Sequence, residues 1–466
     1  MKEKSIDMES KEHEEDKLNK DLKTKIKGRV IFPNDLDYDQ ERKIWNGMID
    51  KKPAIIVKCS GVQDVINAIE HAKSRGIKIS VRSGGHGVSG SSIIESGLVI
   101  DLSLMKGIWV NPKDKTAIVQ SGVTWGEFDR EAQVFGLATP GGRISTTGVA
   151  GFTLGGGIGW LSRKYGLACD NLLSAQIVTA DGQVLNIDKE NEKDLFWAIR
   201  GGGSGLGVVT SFQFKMHQVG PMVYGGLIIY PAKLLDNVID LVKKYMERSP
   251  QEVSILTVLS TAPPLPFIPK EMQGSKVIML AGGFMGDPKE GEEILSPIKS
   301  IGEQKVDMMG PIPYAVLQSL PDALNPPHIN NYWKNHYLKD LKAEPIEIIR
   351  KYYYNCPSPI TEIHLEYLGG ALSKVPDEEN AFGHRNANWN INIVSKWKDP
   401  KETEINLNWT RRLSEELSPF SVGHYINYNG DSTEDMVKSS YNEIKYKQLV
   451  KIKKNYDPYN IFVAKF

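Results

Sequence analysis

Short apolar runs alternate with glycine-rich loops over the first half of the chain. Ala54–Lys58 reads as a strand. It is followed by a turn at Gly61 and a helix in which Val65, Ile66, Ile69 and Ala72 recur at helical spacing up to Gly76. Ile77–Val81 reads as a second strand, running straight into the loop Arg82-Ser83-Gly84-Gly85-His86-Gly87. Leu98–Leu102 and Thr116–Gln120 follow as strands, and Thr124 with Glu127 stands at capping-box spacing where a helix begins. Ala175–Thr179, a helix over 191–200 and the strand Val208–Phe214 complete this half. Composition shifts near Met216–Gly220. Beyond it, helical segments such as 233–248 alternate with the strand-like runs Lys276–Ala281, Thr361–Tyr367, Asn390–Val394 and Gly423–Asn427. The stretch 306–341 is rich in proline and aromatic residues and suits loops around a pocket better than a core. Residues 432–454 read as a helix. No internal repeat or heptad is present.

A chain of 466 residues is long enough for two domains with their own cores. Lys+Arg and Asp+Glu both number 57. This balance speaks against a nucleic-acid or membrane-surface partner. Residues 1–29 are dense in both charges and read as a flexible tail or a solvent-bound helix. They contain no apolar signal core, and no run is long enough for a membrane helix, so a cytoplasmic protein is expected. Three cysteines, Cys59, Cys169 and Cys356, form neither a disulfide framework nor a zinc pattern. Glycine is the anomaly, at 43 residues.

Three glycine clusters fall within one stretch: the loop 82–87, the region 139–159 and Gly201–Gly207. Glycines that join strands to loops bring backbone amides close to a ligand, typically a nucleotide pyrophosphate. The plainer reading is tight turns in a sheet-rich domain. Gly155-Gly156-Gly157-Ile158-Gly159 lacks the acid expected of a Rossmann fingerprint, and no Gly-Lys-Ser/Thr loop occurs. A dinucleotide domain of another construction fits better. His86 stands between two glycines, where its imidazole is sterically open. It is either a surface or structural histidine or a nucleophile toward an activated flavin methyl carbon. His364, His384 and His424 form no helical pair of metal ligands, and no metal site is expected.

The motifs RSGGHG at 82–87, the segment 139–175 and FWAIRGGGSGLGVVTSF at 196–212, with AFGHR at 381–385, YINY at 425–428 and NYDPYNIF at 455–462, occur in that order. Together they resemble the berberine-bridge-enzyme-like FAD-linked oxidoreductases of the vanillyl-alcohol-oxidase class. The resemblance covers about residues 50–466. It implies an α+β chain. A two-part PCMH-type FAD-binding domain would span 30–218, and a substrate domain with an antiparallel sheet backed by helices would span 219–431. A C-terminal segment, 432–466, would return to the first domain. His86 would carry the flavin covalently. Doubly tethered members have a cysteine where this chain has Ile144, which implies a single bond. Arg82, Ser83, Gly84, Gly85, Gly87, Gly142, Thr147, Gly148, Gly151, Gly156, Gly157, Asp170, Asn171, Val209, Asn460 and Phe462 are the further cofactor-side positions that the resemblance implies. It departs from the family at Ser204-Gly205-Leu206 and at Lys445-Tyr446.

On the substrate side, period two puts Asn388, Asn390 and Asn392 on one face of a strand and Trp389 and Ile391 on the other. That polar face is either a solvent-facing edge or, by the resemblance, lies over the flavin. Asn392 then stands where several relatives carry a catalytic carboxylate. Asparagine cannot act as a base, so the role moves to Tyr425 or Tyr428, which a regular strand would place on opposite faces. Glu366 is the further carboxylate candidate. The implied activity is oxidation of a C–H next to O or N in a sugar, alkaloid or other secondary metabolite, with molecular oxygen as acceptor. A dehydrogenase using another acceptor, or a binding protein that keeps only the fold, are the alternatives.

Overall fold

The computed structural model describes residues 17–302, 306–431 and 433–463. The first half of the chain builds two sheets. In one, β1 (Arg29–Ile31) pairs antiparallel with β2 (Ile55–Lys58), and β4 (Leu98–Asp101) lies parallel between β2 and β3 (Ile79–Arg82). Parallel strands need a crossover, and the amphipathic helix Val62–Arg75 supplies it. The helix buries Val65, Ala68, Ile69 and Ala72 and stops where Gly76 turns left-handed at φ 63°. The second sheet is antiparallel, with strands β5 (Ile108–Asn111), β6 (Thr116–Gln120), β8 (Leu172–Val178), β9 (Val184–Asp188) and β10 (Val208–Lys215) in the order β5-β6-β10-β8-β9. A small pair, β7 (Leu137–Ala138) with β11 (His217–Gln218), flanks it. The helix Trp125–Gln133 begins where Glu127 accepts the Thr124 amide at 2.8 Å.

The large sheet has eight strands. They are β12 (Met222–Pro231), β13 (Val253–Thr261), β14 (Lys276–Phe284), β15 (Val306–Asp307), β16 (Gly310–Pro313), β17 (Asn330–Leu338), β18 (Glu362–Tyr367) and β19 (Trp389–Trp397). Their order is β15-β12-β14-β13-β18-β19-β17, with β16 also on β12, and every pairing is antiparallel. One face carries Ile255, Leu280, Ile363, Leu365, Trp389, Ile391 and Ile393. It packs against the helices Leu235–Arg248, Ala343–Tyr354 and Thr403–Leu417. The alternate residues of the same strands face the glycine loops of the first half.

Several expected elements differ. Residues 17–25 are helical, and Leu22 and Ile26 are buried against the β1–β4 sheet, so this part of the expected charged tail is packed; residues 1–16 lie outside the described residues. The stretch 306–341, expected as loops, contains β17, buried along nearly all its length. Its polar side chains find partners on several elements, Lys334 on Asp431, Asn335 on Asn390 and His336 on Ser414, and this polar content hides the strand from a hydrophobicity reading. Gly423–Asn427, expected as a strand, keeps one bridge, Gly423 to Tyr337, and continues into a 3-10 turn at Ile426–Tyr428. The expected helix 432–454 is two helices, Glu434–Ser439 and Glu443–Tyr456, the second capped by Asn442 accepting from the Lys445 amide. After it, the Ile79 amide donates to the Ile461 carbonyl at 2.8 Å. No helix among the described residues is long and apolar enough to cross a membrane.

Candidate active site

A cavity of about 480 Å³ lies between the glycine loops and the free face of the large sheet. Ser83, Gly84, Gly85, His86, Gly87, Gly142, Thr147, Gly148, Gly151, Val209 and Phe462 all line it. The loops 82–87 and 147–151 meet backbone to backbone. A Cβ on Gly84 would come 2.5 Å from the Gly148 nitrogen, and one on Gly148 would come 2.4 Å from the Gly84 nitrogen. These two glycines therefore serve the loop contact itself. Gly151 is different: a Cβ there would meet nothing within 4 Å, although it sits in the helix Val149–Leu154. Gly151→Ala should therefore leave the fold intact or stabilise it by roughly 0.5–1 kcal/mol. Its methyl would occupy cavity space, so flavin retention should fall. Melting temperature and bound-flavin absorbance check the two effects separately.

His86 is half-buried, with its Nε2 fully enclosed, and stacks on Trp45, with ring centroids 4.1 Å apart. Its Nε2 has no hydrogen-bond partner. Burial lowers its pKa to about 4, so the imidazole is neutral near pH 7 and keeps a lone pair. An unpartnered buried nitrogen in a glycine-lined cavity is what a flavin-linking residue requires. The residues present thus fit FAD. Ile144 lines the same cavity.

Other expected cofactor positions lie elsewhere. Arg82 points away into a buried pair with Asp101, its Nε 2.9 Å from the carboxylate, and fixes the root of the loop. Asp170 is bound by Arg385 at 2.6 Å and by Asn380 at 2.8 Å. Asn171 donates to the carbonyls of Tyr165 and Leu167. Neither Asp170 nor Asn171 lines the cavity, because their polar atoms are consumed in this internal network. Gly156 and Gly157 turn the chain at positive φ against Phe382, Phe152 and Ala168. The Asn460 carbonyl accepts from Lys78, at a residue with φ 49° that closes the C-terminal turn.

On the sheet side, Asn390 and Asn392 are 1% and 2% exposed, so the solvent-edge reading fails. Asn392 lines the cavity, and its Oδ1 lacks a partner. Asn390 accepts from Asn335 at 3.1 Å and donates to Glu366 at 3.4 Å. Glu366 is ion-paired with Arg143, whose guanidinium stacks over Trp160. Burial would lower the pKa of Arg143, but the Glu366 carboxylate raises it above the ordinary value. The 3-10 turn brings Tyr425 and Tyr428 to one side, with ring centroids 4.8 Å apart, in place of the opposite faces of a strand. Tyr425 accepts from the Gly157 amide at 2.9 Å and from Asn427 at 3.0 Å, behind the cavity wall. Tyr428 lines the cavity. Burial pushes its phenol up to about 12 although Arg143 opposes the shift. It therefore stays protonated near pH 7 and acts as a donor.

Of the residues around this cavity, Glu362 and Lys396 carry no motif signal in the sequence, Arg143 has only its place in the segment 139–175, and His364 is weighed there only as a metal ligand. Glu362, His364 and Glu366 stand at i, i+2 and i+4, so period two alone puts them on one strand face.

The comparisons with known proteins agree with this geometry. Residues 53–188 match the FAD binding domain family model, and 424–465 match the "berberine and berberine like" model. An FAD-linked oxidoreductase of Dictyostelium discoideum is 32% identical over 444 residues, spanning 94% of this chain and 93% of that one. This chain belongs to the berberine-bridge-enzyme-like FAD-linked oxidoreductases. Within that family, the (R)-6-hydroxynicotine oxidase of Paenarthrobacter nicotinovorans is 28% identical, with 94% and 95% of the two chains covered. The solved structure of a variant of Physcomitrella patens BBE-like 1 superposes with a TM-score of 0.86 at 25% identity, covering 96% of this chain and 98% of that one. The mixed α/β architecture with antiparallel sheets is that of the family.

Proposed function

We propose that this berberine-bridge-enzyme-like protein is an oxidase of small organic molecules. Residues 30–218 would bind FAD, 219–431 would present the substrate, and 432–466 would return to the first domain. The observation that carries the reading is the unpartnered Nε2 of His86, in a cavity that Asn392, Glu362 and His364 of the large sheet also line. His86 would hold the flavin by a single bond from its ring nitrogen to the 8α-methyl carbon, since Ile144 has no sulfur for a second. Bound FAD would supply two-electron chemistry, taking hydride from a C–H next to O or N and passing the electrons to molecular oxygen, which leaves as hydrogen peroxide. Asn392 and the Tyr428 hydroxyl orient a substrate heteroatom. The Arg143–Glu366 pair holds the tyrosine side of the cavity in place. The apolar strands around them exclude water.

The test is a substrate panel read in two ways, by anaerobic bleaching of the flavin and by peroxide release in air. An oxidase gives both. Fast bleaching with slow reoxidation in air would make the protein a dehydrogenase with another acceptor. A colourless protein even after FAD is supplied would leave only a binding role. Tyr428→Phe removes one hydrogen bond to the substrate and should lower kcat/KM roughly fivefold, about 1 kcal/mol, with flavin content unchanged.

A further inference from the structure

Besides Arg143–Glu366, the cavity face of the large sheet carries a second ionisable row, and it ends on a free nitrogen. Glu362 and His364 are alternate residues of β18, and both line the cavity. Lys396 of β19, 2% exposed at its side chain, lies 3.1 Å from Glu362 Oε1. Its Nζ also donates to the Leu324 carbonyl at 3.2 Å and to Asn325 Oδ1 at 3.3 Å. The other Glu362 oxygen is 2.9 Å from His364 Nε2. Burial would raise the Glu362 carboxyl, but Lys396 and His364 hold it at about 2. It is a carboxylate at any working pH, so Nε2 carries the hydrogen that binds it, and Nδ1 keeps the lone pair. Among the described residues none bonds to Nδ1. The side chain is 21% exposed, and Asn392 is its cross-strand partner on β19.

The other groups facing His364 are few. Glu366 stands two residues along the same strand face and is neutralised by Arg143. Tyr428 adjoins that pair, and β13 places Val258 opposite His364. The rest of this end of the cavity is apolar, with Leu265, Phe267, Ile268, Met279, Met308 and Ile312 in its wall. Such a wall leaves the several hydroxyls of a sugar unsatisfied, whereas a hydrophobic ring with one polar group fits it.

We infer that His364 is the proton acceptor of this site, with Glu362 and Lys396 as its positioning residues, and that the substrates are apolar ring compounds bearing a hydroxyl. The inference rests on the oxidase reading above and names its base and substrate class. The hydroxyl O–H bond breaks, its proton goes to Nδ1, and its electron pair stays on oxygen. That pair forms the new double bond to carbon as the carbon-bound hydrogen leaves with its two electrons for the acceptor FAD. The imidazolium so formed is neutralised by Glu362.

The test uses 4-nitrophenol as a probe whose colour reports its protonation without turnover. It is added to the FAD-loaded protein at a pH where the free probe is largely protonated. The expected difference spectrum shows bound phenolate in the wild type and bound phenol in His364→Gln. Glu362→Gln withdraws the charge that stabilises the imidazolium, so phenolate should appear about one pH unit higher. The same phenolate band in wild type and His364→Gln would overturn the inference, as would failure of the probe to bind the wild type. If His364→Gln does not fold, an unchanged midpoint in Glu362→Gln overturns it. Flavin content is read on the same samples. Protein that ionises the probe but holds no FAD would sink the oxidase reading alone. FAD bleached by substrate with no proton transfer to His364 would sink this inference alone.

Discussion

His86→Ala should release all flavin into the supernatant on acid precipitation, where the wild-type pellet stays yellow. An imidazole enclosed by glycine loops and stacked on Trp45 cannot afford a charge, and its pKa falls to about 4. A neutral ring keeps a nucleophilic lone pair at physiological pH. Its Nε2 is buried without a protein partner, a cost of about 1–3 kcal/mol that a stable fold seldom leaves uncompensated. A bound cofactor accounts for that arrangement. Alanine keeps the loop, because Gly84 and Gly148 still set the backbone contact. FAD should therefore still bind, reversibly, and be removable by acid. Acid-stable flavin in His86→Ala would refute the tether, and so would wild-type flavin that acid extracts.

Arg143→Met should cost about 3–5 kcal/mol of folding stability, read from denaturant midpoints. Arg143 and Glu366 are both nearly buried, at 9% and 6% side-chain exposure. Removing the guanidinium strands a carboxylate whose remaining ligand is the Asn390 amide at 3.4 Å. Methionine fills most of the vacated volume and still contacts the Trp160 ring. The loss is therefore mainly electrostatic. A second substitution, Glu366→Gln, should recover much of it by removing the stranded charge. A cost below about 1 kcal/mol for Arg143→Met alone would mean that Glu366 finds water in the cavity and that the pair is not structural. Flavin content is read on the same samples, because Arg143 stands between Gly142 and Ile144 in the cavity lining.

The strand, helix and glycine-loop order of the first half was legible because its strands are short apolar runs cut by glycine. Each boundary there is a local event: Gly76 must turn left-handed, and Glu127 must meet the Thr124 amide. The large sheet was harder to read. β17 carries Asn331, Lys334, Asn335 and His336 in a buried strand, so periodicity of hydrophobic residues is blind to it. Its polar atoms are satisfied by neighbours distant in sequence, such as Asn390 and the Tyr425 amide, both bonded to Asn335. The glycine motifs pointed to FAD and to His86, but not every member of a motif touches the cavity. Asp170 belongs to the Arg385 and Asn380 network, an assignment that needs partners more than 200 residues away, while Asn171 is held by the Tyr165 and Leu167 carbonyls and by His217.

The chain's own order of residues thus settled the local matters. These are the loop around His86, the absence of sulfur at Ile144, and the alternation that puts Asn390 with Asn392, and Glu362 with His364 and Glu366, on one strand face. Such features depend on bond geometry and nearest neighbours alone. Ionisation and direction were decided by the tertiary structure. Burial and the partners brought by packing make Tyr428 a phenol and Glu362 a carboxylate, and they turn His364 Nε2 onto that carboxylate. A pKa and a hydrogen-bond partner belong to the surroundings of a group, and those surroundings come from segments that meet only when the chain folds.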